Sequence, residues 1–522
     1  MNTGLETKSD SSKTTTVRQT AEGMEDASSQ KSYGQILKSS TIIGGSSVVI
    51  VLMGIIRSKV NAVLLGPGGV GLIGLYSSIS RFAGMLAGMG IGSSGVRQIA
   101  EATGTGDRMR IARTIMTLRR VALFLGLTGT LVLFLFRKPI CQMTFGNLDH
   151  TFEVGLLATL IFLGEVATGQ AALIQGMRRI GDLARRNILG AVLGTAASAT
   201  IIFFYRERGI LISFIAIATL ELVSSWWYAR KIKVEPVTME WKDLWGEARP
   251  LLALGLVITS SGLIAAAGAY VTQMIIVRQF NLAAVGLYGA AMTLSSVYVR
   301  FILQAMGTDF YPRLTAVAQD HPTANRLVNE QAEVGLLLAV PGILATLTFA
   351  PLVIHLFYTA DFIPAADILR WQILGVILQV ASFPMGFILL AKELKQMFFW
   401  TELASGSLYV GLFYFCLKMW GLTGAGVAFF ANYLVYWLMI FILARRVTGF
   451  AWSRANTRLM TVLLPAVVLV FLSSLLLPPA PAIIIGSLVT LGAAIYNFRV
   501  LRNAVGSEGF EFLGKGIRKL VG

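Results

Sequence analysis

Apolar runs of about twenty residues recur along almost the whole chain, separated by short polar stretches, and a helical run of that length crosses the ~30 Å hydrocarbon core of a bilayer. The pattern predicts fourteen helical spans, at 38–64, 70–95, 118–136, 154–175, 188–204, 210–228, 251–277, 283–305, 333–357, 369–391, 398–417, 421–443, 460–477 and 482–498. The expected fold class is therefore an all-α polytopic membrane protein. Two pseudo-symmetric six-helix bundles are expected, with two C-terminal helices added.

Composition agrees. Of 522 residues 55% are hydrophobic and 14% charged, and mean hydropathy is +0.70, whereas a soluble domain is about a quarter charged. A net charge of +17 would suggest nucleic acid in a soluble protein, but its distribution here is a topology signal. With the N-terminus in the cytoplasm, the inward loops hold Arg108, Arg110 and Arg113, then Arg178, Arg179, Arg185 and Arg186, then Arg445, Arg446, Arg454 and Arg458. The outward loops hold only Arg137, Lys138, Arg206, Arg208, Arg278 and Lys418. The positive-inside rule then puts both termini in the cytoplasm and calls for an even number of spans. The basic excess is left to face anionic lipid, and no nucleic-acid partner is expected.

Polar punctuation divides the chain further. Residues 1–35 are rich in Ser, Thr and charge and read as a disordered cytoplasmic tail without a signal peptide. The linker 229–250 separates a first bundle, 36–228, from a second, 251–443; residues 444–498 carry the last two spans and 499–522 a basic tail. Across the linker the sequence repeats weakly. Val70-Gly71-Leu72 matches Val285-Gly286-Leu287 at an offset of 215, which also pairs Arg178 with Glu393. Gly209-Ile210-Leu211 matches Gly421-Leu422-Thr423 at 212. Six spans per half keep both halves in one orientation, so the repeats are parallel, and a transport site is expected between them near midplane. Cys141 and Cys416 are the only cysteines and are expected to be free thiols rather than a disulfide.

The region joining the first two spans is the most distinctive. It reads Arg57-Ser58-Lys59 and then Gly66-Pro67-Gly68-Gly69-Val70-Gly71-Leu72, followed by Met89-Gly90-Ile91-Gly92-Ser93-Ser94-Gly95-Val96-Arg97. This resembles the Wzx-type O-antigen and enterobacterial-common-antigen translocases. They form the polysaccharide-transporter branch of a superfamily that also holds lipid II flippases and multidrug and toxin extrusion transporters. The resemblance is specific over about residues 40–105 and rests on helix order over 40–500. Fourteen spans is closer to the lipid II flippases than to the twelve common elsewhere in that superfamily. The resemblance implies a flippase of the bacterial inner membrane that moves an undecaprenyl-pyrophosphate-linked oligosaccharide from inner to outer leaflet. It implies lateral gates between the first and eighth spans. The implied partners are that substrate, membrane lipids, a glycan polymerase and chain-length regulator proteins. In physical terms, Gly66-Pro67-Gly68-Gly69 suits a sharp turn at the outer surface, and Gly84, Gly88, Gly90 and Gly92 permit close helix approach.

Charges inside apolar spans are the candidate chemistry. An Arg or Lys at a helix centre costs roughly 2.5–3.5 kcal/mol on insertion scales, so such groups face a bundle interior or water. Four qualify as substrate-binding candidates: Arg57, Lys59, Arg81 and Arg300. Arg57 lies about 13 Å from the Gly66 turn, near the bilayer centre, while Lys59 at about 10 Å is also able to snorkel outward. The two point about 200° apart on a regular helix, so both face one lumen only if the helix bends. The repeat maps Arg300 onto position 85, one turn from Arg81, so this pair is expected on equivalent faces. Arginine's planar fork suits pyrophosphate. Glu165 and Glu221 are candidates for ion coupling, with a structural ion pair as the competing reading.

No catalytic motif, metal cluster or cofactor signature is present, and an enzyme is not expected. His150, His321 and His355 are scattered, and the largest outward loop, 137–153, is small for a membrane glycan polymerase. The rival on the same fold is a multidrug exporter, whose cationic substrates call for acidic sites where this chain carries basic ones.

Overall fold

In hydrocarbon every backbone N–H and C=O must be satisfied within the protein, which leaves helices as the economical solution for a chain of apolar runs. A computed structural model describes the backbone of residues 10–237, 239–305 and 310–521, and the side chains of 44–237, 239–240, 242–296 and 310–503. Among the described residues there is no strand. The first half runs α1 (Asp10–Gly88), α2 (Ile91–Thr105), α3 (Arg108–Leu135), α4 (Arg137–Phe145), α5 (Thr151–Gly176), α6 (Ile180–Tyr205) and α7 (Gly209–Ala229). The second continues with α8 (Trp241–Gln279), α9 (Leu282–Ala305), α10 (Tyr311–Ala316), α11 (His321–Thr348), α12 (Ala350–Phe357), α13 (Ala365–Ala391), α14 (Lys395–Trp420) and α15 (Gly424–Thr448). The last two are α16 (Arg454–Leu476) and α17 (Pro479–Val521).

Ten helical segments among the described residues are long and apolar enough to cross a membrane, which makes this a multi-pass membrane protein. Three of them are far longer than one crossing needs: Gly44–Gly88 with 45 residues, Ile180–Ala229 with 50 and Lys395–Thr448 with 54. At 1.5 Å per residue, 45 residues would reach about 68 Å, more than twice the hydrocarbon core. Each is interrupted near its middle by a positive-φ residue, Gly66 (φ 63°), Arg206 (φ 51°) and Gly421 (φ 59°) respectively. At the first of these, Gly66 leaves helical geometry altogether and Pro67 opens the second arm of α1, as the Gly-Pro-Gly-Gly run requires.

A constant spacing of 215 residues relates the two halves. Arg178 (φ 55°) and Glu393 (φ 58°) both adopt the left-handed conformation, and so do Arg206 and Gly421. The α5 and α13 ends, Gly176 and Ala391, keep this spacing, as do α6 with α14 throughout and the starts of α7 and α15. The matching of Gly209 to Gly421 at 212 is therefore corrected: Gly421 corresponds to Arg206. Residue identity misled because the shared feature is a left-handed turn, which the first copy makes with an arginine.

Within the N-terminal tail, backbone helix begins at Asp10. No proline interrupts the chain before Pro67, and extending a helix already nucleated costs little. Between the halves, α7 ends at Ala229 and α8 starts at Trp241, carrying Pro250 within it.

The cores interlock rather than separate cleanly. Ile91, Ile99, Leu118 and Leu173 of the first half pack with Ile232 of the linker and with Ala248 and Leu251 of α8. Ala62 and Leu75 of α1 join a second-half core built on Val340, Ile343, Leu369, Ile373 and Phe413. The C-terminal helices dock on α11, where Asn497 Nδ2 donates to Leu337 O at 3.0 Å and Asn456 Nδ2 to Asn329 O at 2.9 Å. Both cysteines are buried free thiols.

Candidate functional site

The meeting of the halves is built from small residues. A Cβ on Gly71 would lie 1.9 Å from Leu282 O and 2.9 Å from Gly286 N; one on Gly286 would lie 2.0 Å from Pro67 O and 3.0 Å from Gly71 N. The two glycines that the repeat pairs therefore touch each other, as residues beside a pseudo-twofold axis would. Deeper along the same arm, Ser78 Oγ donates to Gln273 Oε1 at 2.8 Å and Phe82 stacks on Tyr270 at 5.8 Å. A Cβ on Gly90 would meet Gly255 O at 2.2 Å. The second arm of α1 and its continuation α2 are thus closed against α8 from end to end.

Arg81 sits on a different side of that arm. Its side chain is exposed, and among the described residues no hydrogen bond or ion pair engages it. Gly84, three residues on, has open space at its Cβ position. Gly88 is seven residues on, two turns and about 10 Å along the same face, and there the carboxylate of Glu165 takes the place a side chain would fill, with Oε1 2.5 Å from the Cβ position. Glu165 is 9% exposed and likewise has no bonding partner among the described residues. The helix breaks immediately afterwards, at Met89 (φ 45°) and Gly90 (φ 72°). Here the chain brings an unpartnered arginine and an unpartnered carboxylate onto one stripe beside a break.

Arg57 occupies the first arm of α1, half-buried, with no bonding partner among the described residues. By helix rise it lies about 13 Å from the Gly66 turn and Arg81 about 22 Å, so the two guanidinium groups stand at different depths. Lys59 diverges from Arg57. Its ammonium donates to His355 O at 2.8 Å and to Tyr358 O at the C-terminal end of α12. The hydroxyl of Tyr358 is within bonding reach of Ser58 and Thr293. Arg300 belongs to α9, but its side chain lies outside the described residues, so its partnership with Arg81 remains an expectation. Glu221 is exposed on α7, against Gly190 of α6 and within the field of Arg186. Arg186 in turn donates to Ser225 Oγ at 2.7 Å. Among the described residues no cluster of His, Cys, Asp or Glu is arranged to hold a metal ion.

Sequence reasoning missed Tyr358, His355 and Thr293 as partners of the first span. They lie between 235 and 300 residues further on, and no local pattern marks a backbone carbonyl as a ligand.

The chain matches the polysaccharide biosynthesis protein family over residues 60–367. It is 25% identical over 422 residues to the Lipid III flippase of Escherichia coli (strain K12), across 79% of this chain and 99% of that one. Among solved structures, the Lipid II flippase MurJ in an inward closed conformation superposes with a TM-score of 0.65 at 11% identity, over 89% of this chain and 99% of that one. An inward-facing multidrug resistance MATE family transporter of the MOP superfamily superposes with a TM-score of 0.63 at 18% identity, over 77% and 95%. These two structures share the fold. The family match takes in Arg81, Glu165 and the Gly71–Gly286 contact, and the chain belongs to the polysaccharide biosynthesis protein family.

Proposed function

We propose that this chain is a flippase that carries a lipid-linked oligosaccharide, an O-antigen-like repeat unit on undecaprenyl pyrophosphate, from the inner to the outer leaflet of the bacterial inner membrane. The observation that carries the proposal is Arg81, an exposed and unpartnered arginine inside an apolar span, on the stripe that leads to Glu165. An intramembrane arginine without a protein partner is costly unless it meets water or an anion, and a pyrophosphate offers several oxygens to its fork. Arg57 adds a second such group at another depth. The E. coli relative, a Lipid III flippase matched over nearly its whole length, supports the same reading. The chain acts as a carrier and performs no covalent chemistry. Glu165 is the stronger of the two ion-coupling candidates, since Glu221 has the charge of Arg186 nearby.

In this reading each of the three long broken segments crosses twice and α9 crosses once, giving fourteen spans with both termini in the cytoplasm. The two halves are parallel repeats that rock about the Gly71–Gly286 contact. Single cysteines at Asn147 and Asp361, in a cysteine-free background, are expected to react with an impermeant thiol reagent added to intact cells. Cysteines at Gly106 and Val237 are expected to stay unreactive, and labelling at Val237 would reverse the topology.

Arg81 and Arg300 are proposed to hold one headgroup in succession. Alanine at either position slows export per molecule of protein several-fold. The double variant costs less than the two losses combined, because groups sharing a partner are not additive. Independent, additive losses in a double-mutant cycle would remove the shared headgroup.

A further inference from the structure

An intramembrane lysine pairs with an opposite charge or with backbone carbonyls; Lys59 ends on two backbone carbonyls. Its ammonium leaves the first arm of α1 and bonds the oxygens of His355 and Tyr358, at the C-terminal end of an eight-residue helix, α12. Those carbonyls are the ones that a helix terminus leaves unpaired, and they carry the negative end of the helix dipole. The contact is reinforced on both sides. Tyr358 is 3% exposed, and its hydroxyl reaches Ser58, the neighbour of Lys59, and Thr293 of α9. Helix α1 also touches the turn Ala360–Phe362 that follows. The side chain between them, Thr359, has its Oγ1 buried with no bonding partner. Lys59 therefore ties helix α1 of the first half to the end of α12 in the second.

We propose that Lys59 is an exchangeable latch between the halves: its ammonium holds the end of α12 while the site is empty and transfers to an arriving phosphate, freeing α12 from α1. The chemistry favours exchange. Two neutral carbonyls in a partly exposed setting are weaker ligands for an ammonium than a phosphate oxygen bearing full charge, because the bond to phosphate adds the Coulomb attraction between two opposite charges to the hydrogen bond. Lysine is suited to the task, since its three donors rotate freely on a flexible stem. The carbonyls released are left as unpaired acceptors of a helix terminus, that of His355 on an exposed residue. Arg57, two residues earlier and about 200° around the helix, has no partner to surrender among the described residues, so the latch is assigned to Lys59. The proposal draws on the flippase reading only for the source of the phosphate.

The test uses purified full-length protein in detergent carrying Cys141→Ser, Cys416→Ala and Thr359→Cys, so that the reporter thiol lies beneath the latch. With Lys59 in place the thiol is expected to react slowly with a maleimide. Lys59→Met should raise the rate about tenfold, the population shift expected on losing a charged bond, and Lys59→Arg should restore slow labelling. Adding inorganic pyrophosphate should raise the rate in the Lys59 protein and leave the Lys59→Met protein unchanged. If Lys59→Met does not accumulate, Ser58→Ala serves in its place, with about threefold acceleration expected from losing one neutral bond. Parental labelling in both variants would overturn the latch, and acceleration by Lys59→Met without any response to pyrophosphate would overturn the exchange. Because labelling is read without transport, a failure of glycan export leaves this result standing and is told apart from it.

Discussion

Replacing Arg57 with alanine is expected to cripple glycan export, lowering it about thirtyfold or more, while the protein still inserts and accumulates. The size follows from removing one member of a desolvated charge pair, which costs about 2–5 kcal/mol and hence at least thirtyfold in rate if the loss falls on the translocating state. Accumulation should be spared because no hydrogen bond or ion pair among the described residues depends on Arg57, so its removal leaves no partner stranded. Arg57→Lys should keep part of the activity, since a point charge retains the Coulomb attraction and loses the bidentate fork. The measurement is the amount of lipid-linked glycan held on the inner leaflet per molecule of transporter. Normal export by Arg57→Ala would reduce this arginine to a tolerated passenger and leave Arg81 to carry the cationic site.

The second large effect is structural. Gly71→Ala is expected to lower stability by about 3 kcal/mol or more, at or beyond the upper end of the usual cost of overpacking. The new methyl would stand 1.9 Å from the carbonyl oxygen of Leu282, and the obstacle is backbone, so no side chain can rotate out of the way. Relief requires α1 and α9 to move apart at the point where the halves meet. Gly74→Ala is the control, because its nearest neighbours would be Gln273 Oε1 at 3.6 Å and a Val285 methyl at 3.8 Å. A melting curve in detergent should show a large drop for Gly71→Ala and little change for Gly74→Ala. Gly286→Ala strains the same approach from the other side, so the double variant should lose less than the sum. A wild-type melting curve for Gly71→Ala would mean that the halves do not rest on this contact.

Both effects concern residues that the sequence had already marked, but for different reasons. Arg57 stood out because charge in an apolar span is expensive wherever it points. Gly71 stood out only through its match to Gly286, and the weak repeat gained its meaning when the two were found touching. Arg81 was legible as an intramembrane charge, whereas its stripe to Glu165 was not, since Gly88 gives no hint in sequence that a carboxylate from α5 fills its missing side chain. Lys59 was read as a substrate ligand or a snorkelling group. In the structure its ammonium bonds the carbonyls of His355 and Tyr358, nearly 300 residues away, a pairing that no local pattern announces.

The sequence by itself determined what depends on period, length and composition. Apolar runs that match the bilayer fixed an all-helical membrane protein, and Gly66-Pro67 fixed the first sharp turn, because only so many conformations are open to glycine followed by proline. The tertiary structure alone decided what depends on which surfaces meet. It drew the repeat register through Arg206 and Gly421, whose shared left-handed turn is invisible to residue identity. It closed α8 against the first half, left Arg57 and Arg81 without bonding partners among the described residues, and bound Lys59 to a helix end. The reason is common to all of these. A helix's identity is written locally in hydrogen bonds four residues apart, while the neighbour it packs against is chosen by close contact between segments that the chain separates by hundreds of residues.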